Sequence, residues 1–192
     1  MTSNQIKEVS LKHFATNGYE GASLAHIAED VGIKKQSIYT HFKGKDELFL
    51  QLCSDASENE IRFVINFIEI NKTRPLKELL YDFLLQSIDR YEKNVSNKFW
   101  IRTAFFPPNH LNELVMIMVN QYLDELEALF IPIIKNAMAE GEINLTIGEE
   151  RATVAFLGVL DGILVEMVYG GPKRLKKRLD ASWGVYWLGL SN

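Results

Sequence analysis

Cysteine is nearly absent: Cys53 stands alone in 192 residues. No internal disulfide staples the chain, and a reducing compartment is the expected address. Proline is scarce, with five residues, and glycine supplies only twelve, so little interrupts long regular elements. Residues 1–12 are polar, with Ile6, Val9 and Leu11 scattered among them. They lack the apolar run of a signal peptide, so the expected location is the cytoplasm. No segment alternates apolar and polar residues with period two, which leaves β-strands without a pattern. Histidine occurs four times, as His13, His26, His41 and His110, and no two are spaced i, i+4 as helical metal ligands would be. Neither a nucleophile motif nor a phosphate-binding loop is present. The acidic cluster Asp124, Glu125 and Glu127 lacks the Glu-x-x-His partner of a di-metal bundle. Enzyme chemistry, a metal and a cofactor are therefore not expected, although an all-helical enzyme stays open as a second class.

What is present is helical periodicity. Ile6, Val9, Ser10, His13 and Phe14 follow the candidate caps Thr2 and Ser3, and Gly18 closes a first helix. Ser23 is placed to cap a short second helix with Leu24, Ile27, Ala28 and Val31 on one face and Gly32 at its end. A third runs from about Lys34 to His41, with Ile38 and Phe42 turned inward. Lys45 opens a long helix to about Ile70, and Pro75 suits the first turn of the next, to about Lys93. Ser96–Phe106 reads as a shorter helix stopped by Pro107 and Pro108. Asn109 is placed to cap a long helix to Glu140, bent near Pro132. Thr146 and Glu149 form a capping-box pattern before a helix to Tyr169. After Gly170 and Gly171, Pro172 starts a last helix ending near Leu190. The expected fold is all-α, with about nine helices. A three-helix head over residues 1–47 precedes a larger helical body over 48–192.

The net charge of −4 argues against a nucleic-acid partner until the charges are located. Up to Leu50, six lysines (7, 12, 34, 35, 43 and 45) balance six acids (8, 20, 29, 30, 46 and 47). Lys34, Lys35, Lys43 and Lys45 fall within twelve residues, with His41 among them and no acid before Asp46. Local positive potential is what phosphate contacts require, whatever the total charge. Short helices joined by a turn at Gly32 match a helix-turn-helix. Its second helix must be short and backed by apolar residues, here Ile38 and Phe42, so that its outer face enters the major groove. Lys35, Gln36, Ser37, Thr40 and His41 supply that face, and Gln36 is suited to paired hydrogen bonds with adenine.

Phe14, Gly18–Tyr19–Glu20–Gly21–Ala22–Ser23–Leu24, Ile27–Ala28–Glu29–Asp30–Val31–Gly32–Ile33 and Ser37–Ile38–Tyr39–Thr40–His41–Phe42–Lys43–Gly44–Lys45–Asp46–Glu47–Leu48–Phe49 together resemble the head of the TetR/AcrR repressors. The resemblance implies DNA-backbone contacts from Ser23, Tyr39, His41 and Lys45, with Lys45 at the start of the helix joining head to body. Where the family usually has a small Ser-x-Gly, this chain has Lys34–Lys35–Gln36, a bulkier and more basic reading surface. The resemblance also implies a ligand-responsive repressor that binds a palindromic operator as a dimer. In that arrangement the middle helices surround an effector cavity and the last two form the dimer interface. An interaction protein with a degenerate head is the third class left open.

The body adds its own indications. Val154–Tyr169 is apolar apart from Asp161 and Glu166 and carries Ala155, Gly158 and Gly162 at three- and four-residue intervals. Mid-helix glycine costs about 0.5–1 kcal/mol relative to alanine, so close helix approach is expected, either across a dimer or within one subunit. Sixteen residues with two acids are too short and too charged to span a bilayer, and no membrane partner is expected. Leu175, Leu179, Trp183, Tyr186, Trp187 and Leu190 form an apolar stripe on the last helix, a second expected dimer surface. Lys173, Arg174, Lys176, Lys177 and Arg178 read as a solvated face. For a hydrophobic or aromatic effector the candidate pocket residues are Phe63, Phe67, Phe83, Gln86, Trp100, Phe105, Met116 and Asn120. Phe99, Phe106, Met118, Gln121 and Tyr122 are further candidates, with plain core packing as the alternative for all the aromatic positions. Glu69, Asp89 and Glu113 are candidate counter-charges for a cationic effector.

Overall fold

The computed structural model describes residues 3–191, and the proposed cap Thr2 lies outside them. Those residues form nine α-helices and no strand. They are α1 (Ser3–Gly21), α2 (Leu24–Val31), α3 (Lys35–Ile38), α4 (Lys45–Asn71), α5 (Leu76–Lys93), α6 (Val95–Phe105), α7 (Asn112–Ala139), α8 (Glu149–Tyr169) and α9 (Gly171–Leu190).

Caps account for several boundaries. The Ser23 hydroxyl accepts a hydrogen bond from the Ala25 N–H (3.2 Å), and Gly32 ends α2 in the left-handed region at φ 76°, where a Cβ is strained. The Asn94 side chain accepts from the Asn97 N–H (3.0 Å) and starts α6 one residue earlier than the pattern suggests. Gly18, with φ 69° and ψ −178°, closes the first helical run as expected, and residues 19–21 form a separate short turn beyond the kink. Other expectations shift. The third helix is a single α-turn, Lys35–Ile38. Past it, the Tyr39, Thr40 and His41 N–H groups bond three residues back, a tighter winding than the α-helix. Asn109 opens a 3₁₀ turn, Asn109–Leu111, rather than α7 itself. The Thr146–Glu149 capping box does not form. Asn144 Oδ1 takes both the Thr146 N–H (2.9 Å) and its hydroxyl (2.7 Å), and Gly148, at φ 80°, stands at the helix start.

The chain divides into two compact units. The first joins the described residues up to Glu60 with Lys93–Gln121, so α6 and the start of α7 belong with the helix-turn-helix. In it Phe14 packs edge-on to Phe49 (centroids 5.1 Å) and near Phe99 (6.4 Å), while Arg102 donates to the Ala15 carbonyl (2.9 Å). These contacts seat α6 on α1. Buried Glu60 accepts a hydrogen bond from the equally buried Asn97 side chain (2.7 Å).

The second unit holds Ile61–Glu92 and the described residues from Tyr122 onward. Its core is aromatic at the centre: Phe83 stands 5.4 Å from Phe67, 4.9 Å from Phe130 and 6.2 Å from Phe156. The α8–α9 corner is held by charge. The nearly buried Glu166 carboxylate accepts hydrogen bonds from Arg174 (Nε, 2.9 Å) and Arg178 (Nη2, 2.9 Å). Two residues of the basic run therefore turn back onto α8 instead of serving only as a solvated face. A Cβ on Gly170 would lie 1.9 Å from that carboxylate, so only glycine leaves the ion pairs their room.

Helix α8 is longer than its apolar run, because it begins at Glu149 and spans 21 residues. By length and composition it is apolar enough to cross a bilayer, so shortness does not exclude that role. Its packing argues for a core helix: Phe156, Leu160 and Ile163 are buried in the unit's own core, and Glu166 carries its paired charge.

Candidate nucleic-acid interface

The one-turn helix α3 sits between an inward and an outward set of side chains. Ile38 and Phe42 are 0% and 2% exposed and fix its inner side. Lys34, Lys35, Gln36, Tyr39, Thr40 and His41 are exposed, and Ser37 is half-buried. The split follows from spacing, since positions 38 and 42 share one side of a helical turn and the polar residues between them are left to solvent. The Thr40 hydroxyl donates to the Ser37 carbonyl (2.7 Å), so at the exposed surface its oxygen can still accept. Ser23 is half-buried, and its oxygen already accepts from the α2 backbone.

The start of α4 completes this surface. Glu47 accepts from the Lys43 backbone N–H (2.5 Å), and Asp46 and Glu47 occupy the first turn, where the helix dipole favours negative charge. Lys45 is half-buried, and its Nζ lies over the Tyr19 ring, 4.2 Å from the centroid. The Tyr19 hydroxyl donates to Asp46 Oδ1. His110 Nε2 stands 3.5 Å from Asp46 Oδ2, and its ring lies 5.0 Å from Tyr19. Tyr19's hydrogen bond is the foremost reason that the Asp46 carboxyl titrates below the usual carboxylate range, with His110 and Lys45 adding to it. The Tyr19 phenol is pushed up, first by burial and then by its bond to Asp46. The sequence pattern marks Lys45 but does not mark Tyr19, Asp46 or His110 as its neighbours. A carboxylate one position after a lysine looks like ordinary helix-dipole compensation, and His110 is 64 positions away in the chain.

A second polar contact, His13 Nε2 to Asp30 Oδ2 at 2.6 Å, ties α1 to α2. An open cavity of about 390 Å³ lies beside it, lined by Val9, Lys12, His13, Thr16, Asn17 and Asp30.

The expected effector residues are distributed over both units. Phe67 and Phe83 are buried in the body core and Phe63 is partly buried against it. Phe63 also faces the Arg90 guanidinium at 3.9 Å. Trp100 is buried in the first unit, Phe105 and Met116 are half-buried there, and the polar candidates Gln86 and Asn120 are exposed. No group of three or more potential metal ligands occurs among the described residues.

The expected dimer residues separate by face. Leu179, Trp183 and Tyr186 are buried in the chain's own core and Trp187 packs against it. Ala155 and Gly158 are exposed on α8, and Gly162 is half-exposed beside the Arg178 side chain. The outward stripe of α9 comprises Ala181, Gly184, Val185 and Leu188, with Val185 74% and Leu188 76% exposed. On α8 it includes Val154, Val165 and Tyr169.

Residues 6–52 match the family model described as bacterial regulatory proteins, tetR family. Over 88 residues the chain is 33% identical to the biofilm operon icaADBC HTH-type negative transcriptional regulator IcaR of Staphylococcus aureus (strain Newman), a match covering 44% of this chain and 45% of the relative. The chain spans about half the length of the curated relatives it matches. Likeness of fold extends over the whole chain. A TetR transcriptional regulator from Chloroflexus aurantiacus J-10-FL superposes with a TM-score of 0.78 at 17% identity, covering 98% of this chain and 95% of that one. The transcriptional regulator FadR from Bacillus subtilis, in complex with stearoyl-CoA, gives 0.73 at 18% identity, covering 98% and 100%. The head, residues 6–52, thus matches the tetR family of bacterial regulatory proteins, and the whole chain shares the all-α fold of these solved regulators.

Proposed function

We propose that this chain is a cytoplasmic, ligand-responsive repressor that binds a palindromic operator as a homodimer and is released by a small hydrophobic or aromatic effector. The observation that carries the reading is the division of α3. Ile38 and Phe42 hold the turn from inside while Lys35, Gln36, Tyr39, Thr40 and His41 face solvent beside Lys45. Lys34, Lys35 and Lys45 provide the charge for phosphate contacts, and Gln36 the paired donor and acceptor for a base edge. Ser23, Ser37 and Tyr39 complete the expected DNA contacts.

The dimer reading is supported by the outward faces of α8 and α9. Exposed apolar stripes of this extent mark association surfaces, and a two-fold arrangement presents two heads to a palindrome. A Cβ on Gly158 or Gly184 would meet nothing within 4 Å. The protomer's own packing therefore gives no reason for glycine there, and close approach of a second copy does. The proposed surface comprises Ala155, Gly158 and Gly162 with Val154, Val165, Ala181, Val185 and Leu188. Leu179, Trp183, Tyr186 and Trp187 support it from behind.

The effector reading draws on the aromatic residues Phe63, Phe67, Phe83, Trp100 and Phe105 with Met116, and on the stearoyl-CoA bound by the structurally similar FadR. Release from DNA requires an effector that favours the non-binding state by about 1–3 kcal/mol. The test is selection of duplexes from a random-sequence pool by the purified protein. Enrichment of a two-fold symmetric site, with binding that weakens steeply as salt rises, is expected. Failure to enrich any sequence would remove the repressor reading and favour an interaction protein with a degenerate head.

A further inference from the structure

Lysine side chains that contact phosphate are long and freely rotating, and ordering one costs up to about 2 kcal/mol in rotamer entropy. A device that preorders the side chain lowers that cost on binding. Such a device surrounds Lys45. Its ammonium lies over the Tyr19 ring (4.2 Å), and Tyr19 is fixed at both ends: its ring packs edge-on to Phe49 (5.0 Å) and its hydroxyl donates to Asp46. Asp46 faces His110 Nε2 (3.5 Å), which forms an ion pair with it when the imidazole is protonated. His110 belongs to the Asn109–Leu111 turn, which follows α6, and α6 is itself seated on α1 through the Arg102–Ala15 hydrogen bond. One carboxylate and one ring thus connect the start of α4, the end of α1 and the approach to α7.

We infer that Tyr19 is the positioning residue for Lys45 and that the His110–Asp46 contact couples the α6–α7 turn to this DNA anchor. The inference rests on the reading of Lys45 as a phosphate contact. The pairs are partly exposed, so their contribution to folding is small; their effect is on where one ammonium group points. A shift of the Asn109–Leu111 turn that withdraws His110 leaves Asp46 with Tyr19 and Lys45 alone. Competition between the carboxylate and DNA phosphate for Lys45 then increases, and affinity falls without any change in α3.

The test measures affinity for a duplex that the wild-type protein selects from a random pool, in single and double variants. Lys45→Ala is expected to weaken binding about tenfold, as loss of one charge-assisted hydrogen bond does. Tyr19→Leu is expected to weaken it about fivefold in the native background and less than twofold in the Lys45→Ala background. Non-additivity of that kind marks residues acting through one another. Tyr19→Phe, which keeps the ring and removes only the hydroxyl, should lose about twofold. His110→Ala should also lose about twofold, again only where Lys45 is present. Should Tyr19→Leu impair folding, Tyr19→Phe and the exposed His110→Ala carry the test. Equal losses in both backgrounds would mean that Tyr19 and His110 merely support the head, and would overturn the inference. No loss from Lys45→Ala itself would overturn the anchor reading first, and with it the positioning role of Tyr19.

Discussion

The two units use their aromatic side chains in opposite ways. In the first, Phe14, Tyr19, Phe49 and Phe99 form a wall whose outermost ring holds a lysine at the surface. In the second, Phe67, Phe83, Phe130 and Phe156 meet one another at the centre; charge stays at the edges, as in Arg90 over the half-buried Phe63 and the Glu166 ion pairs of the α8–α9 corner. A ring beside a charge is adapted to present that charge, whereas a ring among rings only fills volume. The contrast explains why a motif marks the first unit and only periodicity marks the second. Presentation of a charge fixes residue identities at fixed spacing, but a core tolerates any side chains of suitable volume.

The largest effect that would sharpen this contrast is in the body core. Phe83→Ala is expected to destabilise the protein by about 3–5 kcal/mol in urea unfolding, through lost burial and the cavity left among four rings. Loss below about 1 kcal/mol would mean that the core collapses around the gap and that Phe83 is no keystone. Next comes the outward face of the same unit. Leu188→Asp is expected to convert the proposed dimer to monomer in sedimentation, with helicity retained because the side chain is 76% exposed. Sedimentation unchanged by the substitution would remove this face from the proposed interface.

The charged corner gives a smaller, pH-dependent effect. Hydrogen bonds from Arg174 and then Arg178 hold the Glu166 carboxyl below the usual carboxylate range. A carboxyl depressed in the folded state contributes stability that is present above its unfolded value of about 4.3 and is lost as pH falls through the folded value. The stability difference between wild type and Glu166→Gln should therefore be steady near neutral pH and shrink as pH is lowered below about 4.3. A difference that stays constant down to pH 2 would deny the ion pairs any role. The smallest effect concerns Cys53. It is fully buried, and burial pushes its thiol up to about 12. Thiol reagents at pH 8 should label the unfolded chain quickly and the native protein hardly at all.

Much of this was legible in the residues. Ser23 and Gly32 mark α2 because a side-chain cap and a positive φ each demand particular residue types. The spacing from Phe14 to Phe49 marks the head for the same reason. Where several residues satisfy one physical requirement, pattern alone does not choose among them. Thr146 and Glu149 have capping-box spacing, yet Asn144 lies closer and captures Thr146 first. Helix α9 is apolar on two faces, and periodicity cannot say which turns inward. The larger stripe of Leu179, Trp183 and Tyr186 fills the core because the core needs volume, and the small-residue stripe of Ala181, Gly184 and Val185 is left outside. The Tyr19–Asp46–His110 cluster was invisible because it joins three segments that nothing in the sequence pairs.

The most direct test of the central claim compares Lys45→Ala with Gln36→Ala over a panel of duplexes differing at single base pairs, across a range of salt. The interface described here predicts that Lys45→Ala weakens all duplexes about equally and lowers the salt slope by about one. It predicts that Gln36→Ala relaxes discrimination at one base position, by about 1–3 kcal/mol, with the slope unchanged. Identical behaviour of the two variants, or binding that neither variant alters, would contradict the assignment of α3 as reader and Lys45 as anchor.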